Sequence, residues 1–101
     1  MNKKIKTEAV DHLIDALLCL ETREEGYSLL EDLCTVNELL SLSQRFEVAT
    51  MLHNHNTYME IADKTGASTA TISRVNRSLN YGCDGYELIF DRLRQKNDEN
   101  K

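Results

Sequence analysis

The sequence predicts an all-α protein of about six helices, and three observations predict it. Proline is absent and glycine occurs only at positions 26, 66, 82 and 85, so little interrupts a helix. Threonine followed three residues later by glutamate recurs at Thr22–Glu25, Thr35–Glu38 and Thr57–Glu60, each the signature of a helix start. Between these starts the apolar residues recur at three- and four-residue spacing, without the alternation of a strand.

Met1–Lys6 is polar and reads as a flexible end. The first helix runs from about Thr7, its candidate cap, to Leu20. At ~100° per residue, Val10, Leu13, Ile14, Ala16, Leu17, Leu18 and Leu20 cover more than half its circumference. Glu8, Asp11, His12 and Asp15 crowd the remainder. So wide a stripe exceeds what one neighbouring helix would cover. The Thr22 box opens a second helix to about Cys34, which should bury Tyr27, Leu29 or Leu30, and Leu33, with Gly26 weakening its first turn. The Thr35 box opens a third, to about His53. Here Leu39, Leu40, Leu42, Phe46, Val48, Ala49, Met51 and Leu52 fall on nearly every side. A helix apolar all round is buried, and a chain of 101 residues can hardly surround it. Two copies could.

The Thr57 box begins the most informative segment, a helix-turn-helix over about residues 57–80. Ile61 and Ala62 lie on the inner side of its first helix, and Gly66 falls where the chain must turn sharply. Ser68 or Thr69 caps the second helix, whose Ile72, Val75 and Leu79 form one apolar face. The opposite face carries Thr69, Ala70, Ser73, Arg74 and Arg77, small or basic residues suited to base edges and phosphates. Ser68 and Thr69 sit at a helix N-terminus, where free amides favour phosphate. Tyr58 and Lys64 on the first helix are candidate backbone clamps, and Met59 reads as a surface gap-filler. The bland alternative is an ordinary helical corner with solvated arginines. A loop spans Asn80–Gly85. A last helix from about Tyr86 to Gln95 places Tyr86, Ile89, Phe90 and Leu93 on one face, and residues 97–101 read as a second flexible end.

Length bounds the chain to one domain, or one protomer of a larger unit. The net charge of −5 argues against a generic polyanion binder. Its distribution alters that picture. Residues 7–50 hold ten acids against Arg23 and Arg45, a local net of −8, whereas residues 56–80 carry +1. An acidic body with a less negative head should bind DNA tightly only at a matching site. Cys19, Cys34 and Cys83 are odd in number and widely spaced, which suits reduced thiols in a cytoplasmic protein. No apolar run approaches the roughly 18 residues of a membrane span. His53-Asn54-His55 could suggest a metal site, but histidines two apart share no helix face. A hinge loop with exposed imidazoles is expected there, and no metal. No nucleophile, base and orienting group can be assembled, so no enzyme activity is expected.

Leu30-Glu31-Asp32-Leu33-Cys34-Thr35, Ser43-Gln44-Arg45, the run from Gly66 to Leu79, and Asn80-Tyr81-Gly82 together resemble the Trp repressor family. They most closely resemble its YerC/YecD branch of TrpR-related proteins. The resemblance covers roughly residues 10–95. It implies an intertwined all-helical homodimer, with the N- and C-terminal helices of both chains in one core and two helix-turn-helix heads projecting from it. It also implies a possible effector pocket. Arg45 and Arg74 match the two arginines that flank the bound indole in the repressor, and Thr35 and Ser78 match two polar lining positions. Next to Arg74 the repressor has a glycine and this chain has Val75, whose branched side chain would intrude on an indole slot. That argues against a tryptophan-like co-repressor, and no cofactor is expected. Without a ligand, Arg45 would simply pair with Glu38 or Glu47.

Two functions are compatible with these readings. One is a homodimeric, sequence-specific DNA-binding transcriptional regulator of repressor type. The other is a protein–protein interaction module within transcription or replication machinery that uses the same helix pair.

Overall fold

The structure, a computed structural model, describes residues 3–99. Among them are six helices: α1 Glu8–Leu18, α2 Arg23–Leu33, α3 Val36–His53, α4 Tyr58–Thr65, α5 Thr69–Tyr81 and α6 Gly85–Glu99. No described residue lies in a strand. The helices form two compact units, and the division falls between Leu39 and Leu40, inside α3.

Side-chain caps start the helices where the sequence places them. Thr7 Oγ1 accepts from the Val10 amide, Thr22 Oγ1 from that of Glu25, and Thr57 Oγ1 from that of Glu60. At Thr35 and Thr57 the box closes reciprocally, because Glu38 and Glu60 accept from the Thr35 and Thr57 amides at 2.9 and 3.1 Å. These bonds hold both carboxyls below the usual glutamate range, chiefly through the backbone amide and further through side-chain donors. The Thr22 box differs from expectation: Glu25 Oε1 reaches past Thr22 to the Glu21 amide at 2.9 Å.

In the first unit, α1 and α2 hold no buried residue. Leu13, Ile14, Leu17 and Leu18 of α1 are exposed, as are Tyr27 and Leu33 of α2, while Leu29 and Leu30 are half-buried. The expected burial of Tyr27 and Leu33 is therefore not achieved within one chain. The second unit carries the core: Val48 and Ala49 of α3, Ile61 of α4, Ala67 of the turn, and Ile72 and Val75 of α5. Met51, Leu52, Ala62, Tyr86 and Phe90 pack against this cluster. Phe46, Tyr86 and Phe90 form a ring group with centroids 5.7–6.3 Å apart. Also on α3, Leu40 and Leu42 stay exposed.

Several boundaries shift. α1 stops two residues early, capped by Cys19. α5 runs on to Tyr81 and α6 starts at Gly85, so the expected loop shrinks to Gly82, Cys83 and Asp84. Gly82 is required there, since a Cβ would collide with the Ser78 carbonyl oxygen. The last helix outruns its expected end near Gln95: α6 extends through residues 97–99. The expectations for residues 1, 2, 100 and 101 lie outside the described residues.

His53-Asn54-His55 is a helix terminus. The His55 amide donates to the Leu52 carbonyl and the Asn56 amide to that of Met51, with His55 left-handed at φ +65°. This paired arrangement satisfies the last carbonyls of α3. Both imidazoles are exposed, as expected, and His53 also has neighbours: its Nδ1 lies 3.6 Å from Glu87 Oε1, and its ring is tilted against that of Phe90 with centroids 4.7 Å apart. Among the described residues no group of histidine, cysteine and carboxylate side chains could hold a metal ion. No helix among them is long and apolar enough to cross a membrane.

Candidate nucleic-acid interface

The second unit builds a helix pair from α4, a tight turn and α5. α4 ends at Gly66, left-handed at φ +73°, whose amide donates to the Ala62 carbonyl. Thr65 laces the turn: its hydroxyl donates to the Ile61 carbonyl at 2.7 Å and accepts from the Ala67 amide at 3.1 Å. From α3, Gln44 Nε2 donates to the Thr65 carbonyl at 3.1 Å. Ala67 is buried, and Ser68 caps α5.

The inner face of the pair is Ile61, Ala67, Ile72 and Val75, none more than 5% exposed. The outer face is the set read from the sequence. Thr69, Ala70, Ser73, Arg74 and Arg77 are exposed on α5, as are Tyr58 and Lys64 on α4. Met59 is among the most exposed apolar side chains, as expected of a residue outside the core. Among the described residues, no carboxylate pairs with Lys64, Arg74 or Arg77. Ser68 is partly committed, since its hydroxyl accepts from the Thr71 amide and donates to Thr71 Oγ1, both at 3.1 Å. An incoming phosphate at this end would meet backbone amides, with the serine holding the helix start in place.

Beside the pair lies a cavity of about 290 Å³ lined by α3, α5 and the start of α6. It unites four of the five residues of the possible effector pocket: Arg45, Arg74, Val75 and Ser78. The fifth, Thr35, belongs to the first unit, where it caps α3. Val75 is only 3% exposed, so its branched side chain serves the core as well as the cavity wall. The expected pairing of Arg45 with Glu38 or Glu47 is not made among the described residues. Ser41, Gln44, Thr71 and Tyr86 also line the cavity, beyond the set that the sequence singles out. Two of them are accessible to helical spacing: Ser41 precedes Arg45 by four positions on α3, and Thr71 precedes Arg74 by three on α5.

Comparison with known proteins agrees with this geometry. The profile of the family described as Trp repressor protein matches residues 8–94. The chain is 51% identical over 96 residues to YerC of Bacillus subtilis (strain 168), covering 95% of this chain and 92% of that one. Among solved structures, a TrpR-like protein from Eubacterium eligens ATCC 27750 is 65% identical with a TM-score of 0.88, covering 91% of this chain and 95% of that one. A proposed Trp repressor from Staphylococcus aureus is 54% identical with a TM-score of 0.87, covering 91% and 92%. With its six helices and its α4–α5 pair, the chain belongs to the Trp repressor family.

Proposed function

We propose that this protein is a homodimeric, sequence-specific DNA-binding regulator of transcription. The observation that carries the proposal is the division of the α4–α5 pair into a fully packed inner face and an exposed outer face whose cations have no carboxylate partner among the described residues. In this reading α5 enters the major groove. Thr69, Ala70 and Ser73 meet base edges, Arg77 reaches a guanine or a phosphate, and Tyr58 and Lys64 clamp the backbone. Ser68 sets the helix start against a phosphate. Arg74 faces two ways: it is exposed on α5 and it lines the cavity beside Arg45. It thereby joins the reading surface to the possible effector pocket.

Residues 1–101 then form one Trp repressor-like domain, completed by a second copy that covers the exposed faces of α1 and α3. Exposed apolar surface on this scale marks an interaction site in a protein of this size. The two heads would read half-sites about one helical turn apart on a near-palindromic operator. Val75 disfavours a planar aromatic effector between Arg45 and Arg74. A regulatory role in the cytoplasm, with no catalysis, accords with the family.

Selection of bound duplexes from a random library tests this. A near-palindromic sequence should be enriched, and Arg74→Ala should weaken binding to it by about 1–3 kcal/mol. Failure to enrich any sequence at moderate salt would instead favour a protein partner for the same helix pair.

A further inference from the structure

We propose that Gln44 is a positioning residue that sets the angle of α5 by holding the end of α4 from α3. This rests on the DNA-binding reading above. The last carbonyls of a helix have no partner within it. In α4, the Ala62 carbonyl receives the Gly66 amide and the Ile61 carbonyl receives the Thr65 hydroxyl. The Thr65 carbonyl is met by Gln44 Nε2, 21 residues away in sequence. Every other side-chain hydrogen bond found among the described residues, the unassigned partner of Lys4 apart, joins residues no more than four positions apart. Gln44 is thus the directional tie between the scaffold helix α3 and the reading head, whereas the apolar contacts around it permit small rotations.

Its placement matters because Thr65 directly precedes the turn. Gly66 at φ +73° and buried Ala67 then lead straight into the α5 cap at Ser68. A shift of the Thr65 carbonyl is therefore carried into the direction of α5. Gln44 also lines both the groove between α3 and α4 and the cavity holding Arg45 and Arg74.

Two variants of the full-length chain test the tie. Gln44→Met keeps nearly the same volume without a donor, and Gln44→Lys keeps a donor at similar reach. Amide hydrogen exchange in the DNA-free protein should quicken about tenfold at Gly66 and Ala67 in Gln44→Met, with Val48 and Ala49 unchanged. Gln44→Lys should restore most of that protection. Gln44→Met should also bind the selected duplex about tenfold more weakly while keeping the parent's affinity for an unrelated duplex. Unchanged exchange at Gly66, or quickening spread evenly through the core, overturns the proposal. So does an equal loss on both duplexes. If the exchange results hold and the parent selects no duplex, the DNA-binding reading fails and the tie remains.

Discussion

Two helices of this chain end on a left-handed residue, and only one of those residues is glycine. α4 ends at Gly66 with φ +73°, and α3 is followed by His55 at φ +65°. The pair allows one backbone argument to be tested in both directions. Holding a residue with a Cβ in this region costs roughly 1–2 kcal/mol. Glycine escapes that cost but gives back roughly 0.4–1 kcal/mol by loosening the unfolded chain. At Gly66 no heavy atom lies within 4 Å of the place a Cβ would occupy, so Gly66→Ala should lose backbone energy alone and no packing. The net loss is about 0.5–1 kcal/mol. His55 is exposed, and the substitution His55→Gly should gain about the same amount. Urea unfolding at one fixed protein concentration measures both, since the proposed dimer would make stability depend on concentration. The midpoints should move in opposite directions at constant slope. Shifts of the same sign would refute the reasoning, because φ would then not be the quantity that decides.

Other consequences follow from packing and charge. Ile72, 1% exposed at the centre of the α3–α5 core, should cost about 2–5 kcal/mol when changed to Ala in the same unfolding assay. Gly82→Ala should cost roughly 1–3 kcal/mol, because its new Cβ meets the backbone carbonyl of Ser78, which cannot swing aside. Glu38 and Glu60 have folded pKa values below the ordinary 4.5, so their caps stabilise fully above that pH and are lost as pH falls through the folded values. Unfolding midpoints measured from pH 6 down to pH 3 should therefore fall less steeply in the variant Glu60→Gln than in the parent. Leu17→Glu, on the exposed apolar face of α1, should shift sedimentation from dimer toward monomer while leaving the α4–α5 pair folded.

The sequence alone determined the helices and the face each presents. Caps, glycine placement and apolar spacing are local, acting within one or two turns. That is why Thr7, Thr22, Thr35, Thr57 and Ser68 could be read as helix starts, and why Ile61, Ile72 and Val75 could be read as inward. The same locality makes the outer set of Thr69, Ala70, Ser73, Arg74 and Arg77 legible in the chain itself. Tertiary structure decided what depends on distant partners. It brought Arg45 of α3 beside Arg74 of α5 in one cavity, set His53 against Glu87 and Phe90, and placed the Gln44 amide on the Thr65 carbonyl. The last two have no sequence signature, and the first is given by the family resemblance alone, because the residues share no helix and their spacing along the chain obeys no period. The ends of α5 and α6 depart from expectation for a related reason: polar residues such as Asn97 and Asp98 carry no apolar periodicity, yet their backbone amides continue the helix.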